Sequence, residues 1–385
     1  MTRRALLAAA AGPFWMAARR GRAAASAYIV YVGTYTRKTS RGIFAYRFEP
    51  GAGKITPLGQ VVETPNASWL VPDASFKYLY AVNESEFQRE PGKPGQVSAF
   101  AVDRSTAKLT LLNRVSAVGG GPCHASLDAG GRFLFVANYG TGSIAVLPVE
   151  AGGRLGDAVA FVQHKGSSVN PQRQQGPHAH CIMPSPDNRF VLVADLGLDQ
   201  ILIYRFDAAR GSLAPNDPPF ARVAPGSGPR HFVFHPNGRL FYVVNEMANT
   251  VTAFNYDRER GALSEFQTIS TLPEGYSERS TSAEILVDRE GRFLYTSNRG
   301  HDSIAVFAID PAKGTLSFVE HVSTKGQTPR GVALDPTGTY LFAANQQSDN
   351  VVLFRVNRQN GRLRPAGEVL TDATEPVAVV FVPAA

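Results

Sequence analysis

The stretch Phe133-Leu-Phe-Val-Ala-Asn138 is one of six similar strand-like segments in this chain of 385 residues. Each segment is apolar, ends in Asn or Asp, and is followed by another short apolar run such as Ser143-Ile-Ala-Val-Leu147. The steps between the terminal residues are 55, 57, 50, 53 and 47 residues. Four short strands in a period of about 50 residues are typical of β-propeller blades. The six segments end at Asn83, Asn138, Asp195, Asn245, Asn298 and Asn345.

The two ends of the chain predict a seventh blade. Residues 29–58 form a partial unit without its inner strand, and residues 376–382 resemble an inner strand without its continuation. Pairing the two in one blade would close the ring and remove two exposed strand edges. We therefore predict an all-β protein whose residues 28–385 form one seven-bladed β-propeller of four-stranded antiparallel blades, closed by its N- and C-terminal strands. Such a ring needs no partner to cover its edges, so we expect a monomer.

The first 27 residues have the pattern of an export signal. Arg3-Arg4 precedes an apolar run, and Ala25-Ser26-Ala27 is an A-x-A cleavage site. The paired arginines resemble a twin-arginine signal. The apolar run is too short to span a bilayer, so we expect no membrane span. We predict that residues 1–27 are removed and that the protein is periplasmic or extracellular. The alternative is a basic tail that is retained.

The net charge argues against a nucleic-acid-binding protein, and the number of cysteines argues against a disulfide-stabilised fold. The formal net charge of +7 falls to +2 once the five arginines of residues 1–27 are removed, which leaves no basic surface for nucleic acid. We expect no nucleic-acid partner. Only Cys123 and Cys181 are present, so no disulfide framework holds the fold. Export would permit a bond between them, but we favour two buried thiols.

Ionisable residues break the symmetry of the repeat at one face of the predicted disc. In each unit the first strand and the Asn-ended strand form a hairpin, so the start of one lies beside the end of the other. The first strand is innermost, so these positions surround a mouth of the central channel. Unlike residues at equivalent positions indicate a binding or catalytic site. The first strands begin with Ser68, Cys123, His180, Arg230, Ala283 and Arg330, and the second strands are followed by Glu84, Tyr139, Leu196, Glu246, Arg299 and Gln346.

Several motifs give the chain a family resemblance. They are Val32-Gly-Thr-Tyr-Thr36, Asn170-Pro-Gln-Arg-Gln-Gln-Gly-Pro-His-Ala-His180, Gly228-Pro-Arg-His231, Leu272-Pro-Glu-Gly-Tyr276 and Ser297-Asn-Arg-Gly-His-Asp-Ser303. With these motifs, residues 28–382 resemble the bacterial lactonases of the 6-phosphogluconolactonase type, which are related to carboxymuconate lactonising enzymes. One departure is Glu284 in Ala283-Glu284-Ile285, where the family usually has Asp. This departure bears on substrate fit more than on the fold.

The resemblance implies hydrolysis of a sugar-type lactone without metal or organic cofactor. It implies that His180, Arg230, Glu246 and Arg299 are the catalytic set, and these residues lie at the mouth-facing positions. Arginines suit an anionic substrate and a developing oxyanion, and Glu246 or His180 could deprotonate water. His178 and His180 have metal-ligand spacing, but no third ligand is obvious. We add as substrate-binding candidates Arg173, His178, His231 and Glu284.

Two other functions remain open at the level of sequence. The same fold could support a cycloisomerase that closes a muconate-like acid to a lactone. An exported propeller could also bind a protein or glycan without catalysis. The catalytic hypothesis predicts converging ionisable groups at the mouth, whereas a binding module predicts a large apolar surface patch. The sequence shows the ionisable groups.

Overall fold

A computed structural model describes residues 25–84, 93–367 and 369–385. Within these ranges the chain forms seven sheets of four antiparallel strands, and the only helical segment is a 3₁₀ turn at Ala151–Gly153. The predicted seven-bladed β-propeller is confirmed. No helix in the described ranges is long and apolar enough to cross a membrane. Residues 1–24 of the predicted export signal lie outside the described residues. Cleavage of the signal therefore stays a prediction.

The blades are numbered along the chain, and the strands of each are given from the channel outwards. Blade 1 consists of β28 (Pro376–Pro383), β1 (Tyr28–Thr34), β2 (Gly42–Glu49) and β3 (Lys54–Glu63). Blade 2 consists of β4 (Ala67–Pro72), β5 (Tyr78–Asn83), β6 (Gln96–Val102) and β7 (Leu109–Ser116). Blade 3 consists of β8 (Pro122–Leu127), β9 (Phe133–Asn138), β10 (Ser143–Pro148) and β11 (Ala160–Gln163). Blade 4 consists of β12 (Ala179–Pro184), β13 (Phe190–Asp195), β14 (Gln200–Asp207) and β15 (Ser212–Arg222).

The last three blades follow the same plan. Blade 5 consists of β16 (Pro229–Phe234), β17 (Leu240–Asn245), β18 (Thr250–Asp257) and β19 (Ala262–Ser270). Blade 6 consists of β20 (Thr281–Val287), β21 (Phe293–Arg299), β22 (Ser303–Ile309) and β23 (Leu316–Ser323). Blade 7 consists of β24 (Pro329–Leu334), β25 (Tyr340–Asn345), β26 (Asn350–Val356) and β27 (Leu363–Pro365).

The ring closes through blade 1, as predicted. Strand β28 pairs antiparallel with β1 from Tyr28 opposite Pro383 to Gly33 opposite Ala378. Every residue of β1 is buried. Seven apolar clusters fill the spaces between neighbouring blades, and β28 contributes to the clusters on both sides of blade 1. The C-terminal strand therefore joins the first and last units of the repeat.

Each innermost strand carries a β-bulge close to its start. In blade 2, for example, Ala67 pairs with Asn83 and Trp69 with Val82, so Ser68 is an extra residue without a partner position. A bulge bends the strand and redirects a side chain. Because the innermost strands surround the channel, the seven bulges place a ring of side chains there. From blade 1 to blade 7 the bulged residues are Val377, Ser68, Cys123, His180, Arg230, Ala283 with Glu284, and Arg330.

Candidate active site

Glu246 is the centre of a cluster of charged side chains at the channel mouth. Its Oε2 lies 2.7 Å from Nη1 of Arg230 and 2.9 Å from Nη2 of Arg299, and its Oε1 lies 2.8 Å from Nη2 of Arg173. Arg230 is a bulged residue of blade 5, Arg299 ends β21 of blade 6, and Arg173 comes from the loop between blades 3 and 4. One carboxylate therefore binds three guanidinium groups from separate parts of the ring.

A sharp turn before blade 5 positions both Arg230 and Glu246. Gly228 has φ +64°, and its N–H donates to Oδ1 of Asp199 at 2.7 Å. The carbonyl of Gly228 accepts the N–H of Glu246 at 2.8 Å. Glycine adopts this left-handed conformation without a side-chain clash, which accounts for the first residue of the Gly228-Pro-Arg-His231 motif. The turn aligns the end of β17 with the bulge of β16.

The arginines keep Glu246 ionised. Burial alone would raise the pKa of this carboxyl group, but Arg299 and Arg230 hold the pKa well below its usual range. Burial lowers the pKa of Arg299 to about 10, and Glu246 opposes that shift, so Arg299 stays charged at neutral pH. Three positive charges against one negative charge leave the cluster with an excess of two. Such a cluster suits an anionic or oxygen-rich ligand.

His180 is buried beside the cluster in its neutral form. Burial, followed by the charge of Arg230, lowers the pKa of His180 well below its usual range. Its Nε2 accepts a hydrogen bond from Nη1 of Arg230, and its Nδ1 lies 3.7 Å from Sγ of Cys123. The lone pair that a general base would use is thus occupied in this state. His180 orients Arg230, and its catalytic role stays a prediction.

Arg173 and His178 meet at Tyr139, a mouth-facing residue of the repeat for which the sequence predicted no role. Nη2 of Arg173 lies 3.0 Å from the hydroxyl of Tyr139. The His178 ring stacks on the Tyr139 ring with centroids 4.5 Å apart, and its Nδ1 donates to the Tyr139 carbonyl at 2.8 Å. His178 therefore supports Tyr139, whose hydroxyl in turn contacts Arg173. Direct substrate contact by either residue stays a prediction.

His231 and Glu284 form a separate buried pair. Nδ1 of His231 lies 3.0 Å from Oε1 of Glu284. Burial raises the pKa of Glu284 to about 8 and lowers the pKa of His231 below its usual value. The His231 ring lies 5.1 Å from that of His180 and 5.2 Å from that of Trp69. This pair lies next to the charged cluster without an ion pair to Glu246, and substrate contact by either residue stays a prediction.

The two cysteines are free thiols that lie close to histidines of the site. Within the described ranges, no three His, Cys, Asp or Glu residues converge as ligands. Cys123 and Cys181 are free and buried, which settles the open question in favour of two thiols. Cys181 lies 3.5 Å from Nε2 of His124, and Cys123 lies near His180.

A second group of polar residues, from blades 7, 1 and 2, was not assigned from sequence. The hydroxyl of Tyr35 donates to Oε2 of Glu84 at 2.8 Å, and Nη2 of Arg330 lies 4.0 Å from the same oxygen. The Arg330 guanidinium lies 5.5 Å from the Tyr35 ring centroid. Glu84 and Arg330 occupy mouth-facing positions of the repeat, and Tyr35 belongs to the Val32-Gly-Thr-Tyr-Thr36 motif. The mouth-facing positions and the motif are the sequence features from which this group could have been predicted.

Known proteins are similar to this chain in sequence and in fold. The family described as lactonase, 7-bladed β-propeller, matches residues 29–381. A Bacillus subtilis protein named 6-phosphogluconolactonase is 35% identical over 303 residues, covering 79% of this chain and 84% of the relative. A Formosa agariphila protein of the same name is 34% identical over 309 residues, covering 79% and 85%. The solved structure of the periplasmic gluconolactonase of Pseudomonas aeruginosa has a TM-score of 0.88 at 35% identity, and the match covers 94% of this chain and 100% of that chain.

These similarities confirm the resemblance that the motifs indicated. The match extends over nearly the whole propeller, from β1 to β28. It therefore includes both strands of every mouth-facing hairpin. The chain belongs to the lactonase family of seven-bladed β-propellers.

Proposed function

We propose that this protein hydrolyses a sugar-type lactone at the channel mouth, beside Glu246. The observation that carries the proposal is the buried carboxylate bound by three arginines. Such a site combines a proton acceptor with cations for an oxygen-rich substrate. The names of the relatives support a sugar lactone as the substrate, since two are called 6-phosphogluconolactonase and one gluconolactonase.

We further propose that Glu246 is the general base and that Arg173 controls it. Arg173 is the most exposed member of the cluster, with 38% of its side chain accessible against 3% for Arg230 and 14% for Arg299. An oxygen-rich substrate arriving from solvent would draw Arg173 away from Oε1. Loss of one cation raises the proton affinity of the carboxylate, and Oε1 becomes free to accept a proton from water.

The reaction then needs one water and no further reactant. Oε1 of Glu246 takes a proton as the water oxygen bonds to the carbonyl carbon of the lactone. The bond between that carbon and the ring oxygen breaks, and the ring oxygen takes the proton back from Glu246. The product is the open-chain hydroxy acid. Arg230 and Arg299 hold Glu246 in place throughout.

Export is part of this proposal. Arg3-Arg4, the apolar run and Ala25-Ser26-Ala27 support it, as does similarity to a gluconolactonase described as periplasmic. A sugar lactone outside the cytoplasm need not carry a phosphate. We therefore infer that an unphosphorylated aldonolactone is accepted.

The first test is acid release by residues 28–385 in a pH-stat. We expect release from gluconolactone above the spontaneous rate, with 6-phosphogluconolactone compared at equal concentration. Hydrolysis of the phosphorylated lactone alone would contradict the inference on substrate. Release from neither lactone would contradict the proposed function, and loss of a muconate-like acid would then indicate the cycloisomerase.

Removing Arg173 should change the pH dependence of catalysis. In Arg173→Gln, Glu246 loses a cation 2.8 Å from Oε1, so its pKa should rise. The base works only when deprotonated, so the acid limb of kcat/KM should move to higher pH. Residual lactone, measured from pH 3 to pH 8, gives this profile. The exposed Arg210, with 83% of its side chain accessible, provides the control Arg210→Gln. An acid limb at the same pH in both variants would contradict the role of Arg173.

A further inference from the structure

A small cavity lies inside the channel, among the bulged residues. Its volume is about 10 Å³, which is close to the minimum that holds one water molecule. A single oxygen atom fits such a volume. Five bulges contribute to its wall, and two residues that follow bulges complete it. The lining residues are Ser68, Trp69, Cys123, Arg230, His231, Arg330 and Val377.

Two residues that line this cavity carry polar groups without a hydrogen-bond partner among the described residues. The hydroxyl of Ser68 and Nε2 of His231 are buried and have no hydrogen-bond partner in the part of the chain that the structure describes. Among the described residues, none accepts a hydrogen bond from Arg330, whose nearest carboxylate oxygen is 4.0 Å away. Buried polar groups are normally paired, so unpaired ones on residues around a cavity indicate a capacity to bind an oxygen atom.

Arg330 differs in this respect from the arginines of the Glu246 cluster. Arg230 donates through Nε to the Ala283 carbonyl and through Nη1 to Glu246 and His180. Arg299 donates to the carbonyls of Thr281 and Ser282. The guanidinium of Arg330 therefore has the larger unused capacity for hydrogen bonding, although only 17% of its side chain is accessible.

Tyr35 and Glu84 hold Arg330 in place and keep it charged. Burial opposes the charge, but Tyr35 and Glu84 raise the pKa of Arg330 above its ordinary value. Tyr35 reaches this position because β1 runs very close to β4: a Cβ on Gly33 would lie 2.1 Å from the Ala67 carbonyl oxygen. The Val32-Gly-Thr-Tyr-Thr36 motif thus serves to place Tyr35 beneath Arg330.

We propose that this cavity receives the carbonyl oxygen of the lactone, with Arg330 and Ser68 as further catalytic residues. The inference rests on the proposed function. When water adds to the carbonyl carbon, the π-electron pair of the carbonyl moves to this oxygen. The pair returns as the bond to the ring oxygen breaks. Donors already aimed at such an oxygen in a water-poor site stabilise the transition state strongly. Arg230 and Arg330 contact it from blades 5 and 7, and Ser68 donates from blade 2.

The decisive experiment compares kcat and KM of Arg330→Met and Ser68→Ala on gluconolactone and 6-phosphogluconolactone. Loss of Arg330 should lower kcat by about 10²-fold on both substrates, with little change in KM. Ser68→Ala should lower kcat in the same direction by less. Among the described residues the Ser68 hydroxyl has no hydrogen-bond partner to lose, so the thermal stability of this variant should not fall. An unchanged Tm would show that the lower kcat is not a folding defect.

The control variants and the wild type distinguish failure of this inference from failure of the proposed function. Arg355→Met, an exposed arginine on β26 of the same blade, should behave as wild type. Normal kcat in both cavity variants would overturn the proposal while leaving the lactonase intact. A change confined to KM for the phosphorylated substrate would also overturn it, because Arg330 would then bind the phosphate. Absence of lactone hydrolysis in the wild type would refute the proposed function and this inference together.

Discussion

Glu246→Gln is expected to lower kcat for lactone hydrolysis by about 10³-fold. The amide keeps the shape of the side chain and can still accept hydrogen bonds from Arg230 and Arg299. It cannot take a proton from water at Oε1, and it cannot return one to the ring oxygen. The substrate still meets the arginines, so KM should change much less than kcat. Initial rates at saturating lactone, measured in a pH-stat at pH 7, give the comparison.

The same substitution should also destabilise the fold. It leaves the buried Arg230, 3% accessible, without its counter-ion, which costs about 3 kcal/mol. Because the pKa of Glu246 is depressed in the folded state, its stabilising effect is present above the unfolded pKa and is lost as the pH falls through the folded pKa. The difference in Tm between wild type and variant should therefore have its largest value at pH 7 and should decrease below about pH 4.3.

Substitution of an exposed glutamate tests whether the loss of any negative charge would produce the same effects. Glu259 has 86% of its side chain accessible and pairs with the surface Arg189. Glu259→Gln should keep wild-type kcat and Tm, since exposed ion pairs contribute little. If Glu246→Gln retained more than a tenth of the wild-type kcat, Glu246 would not be the base.

Removal of residues 376–385 is expected to abolish cooperative folding. These residues include all of β28, the innermost strand of blade 1. Without it, β1 becomes an exposed edge. Val377, Val379 and Val382 leave the buried interior, and burial of one valine side chain is worth about 2 kcal/mol. The combined loss is comparable to the net stability of a typical domain, about 5–15 kcal/mol. We expect an aggregated product or one without a sharp thermal transition by circular dichroism.

A shorter truncation provides the matched control. Ala384 and Ala385 lie beyond β28 and form two backbone hydrogen bonds, to the carbonyls of Ala27 and Arg104. Their removal should shift Tm by only a few degrees. If the longer truncation melted cooperatively at nearly the wild-type Tm, closure by β28 would contribute little to stability.

The repeat made most of the fold predictable. Strand-forming runs, turn residues and a regular period are local features, so the position of Asn138 or Asn245 at the end of a second strand could be read directly. The incomplete units at the two ends predicted the closure between β1 and β28. Alignment of the units then brought His180, Arg230, Glu246 and Arg299 to one mouth of the channel. Equivalent positions could be compared in this way because a propeller imposes the same geometry on each blade.

The sequence by itself determined the seven blades, their closure and the face that carries the ionisable residues. Only the tertiary structure decided which of these residues meet. Glu246 accepts a hydrogen bond from Arg173, which is 73 positions away in the sequence. Arg330 is oriented by Tyr35 and Glu84, which come from two other blades. These contacts depend on the bulge in each innermost strand and on the convergence of seven strands about one axis. Neither leaves a local pattern, because a bulge changes the direction of a side chain without changing the alternation of the strand around it.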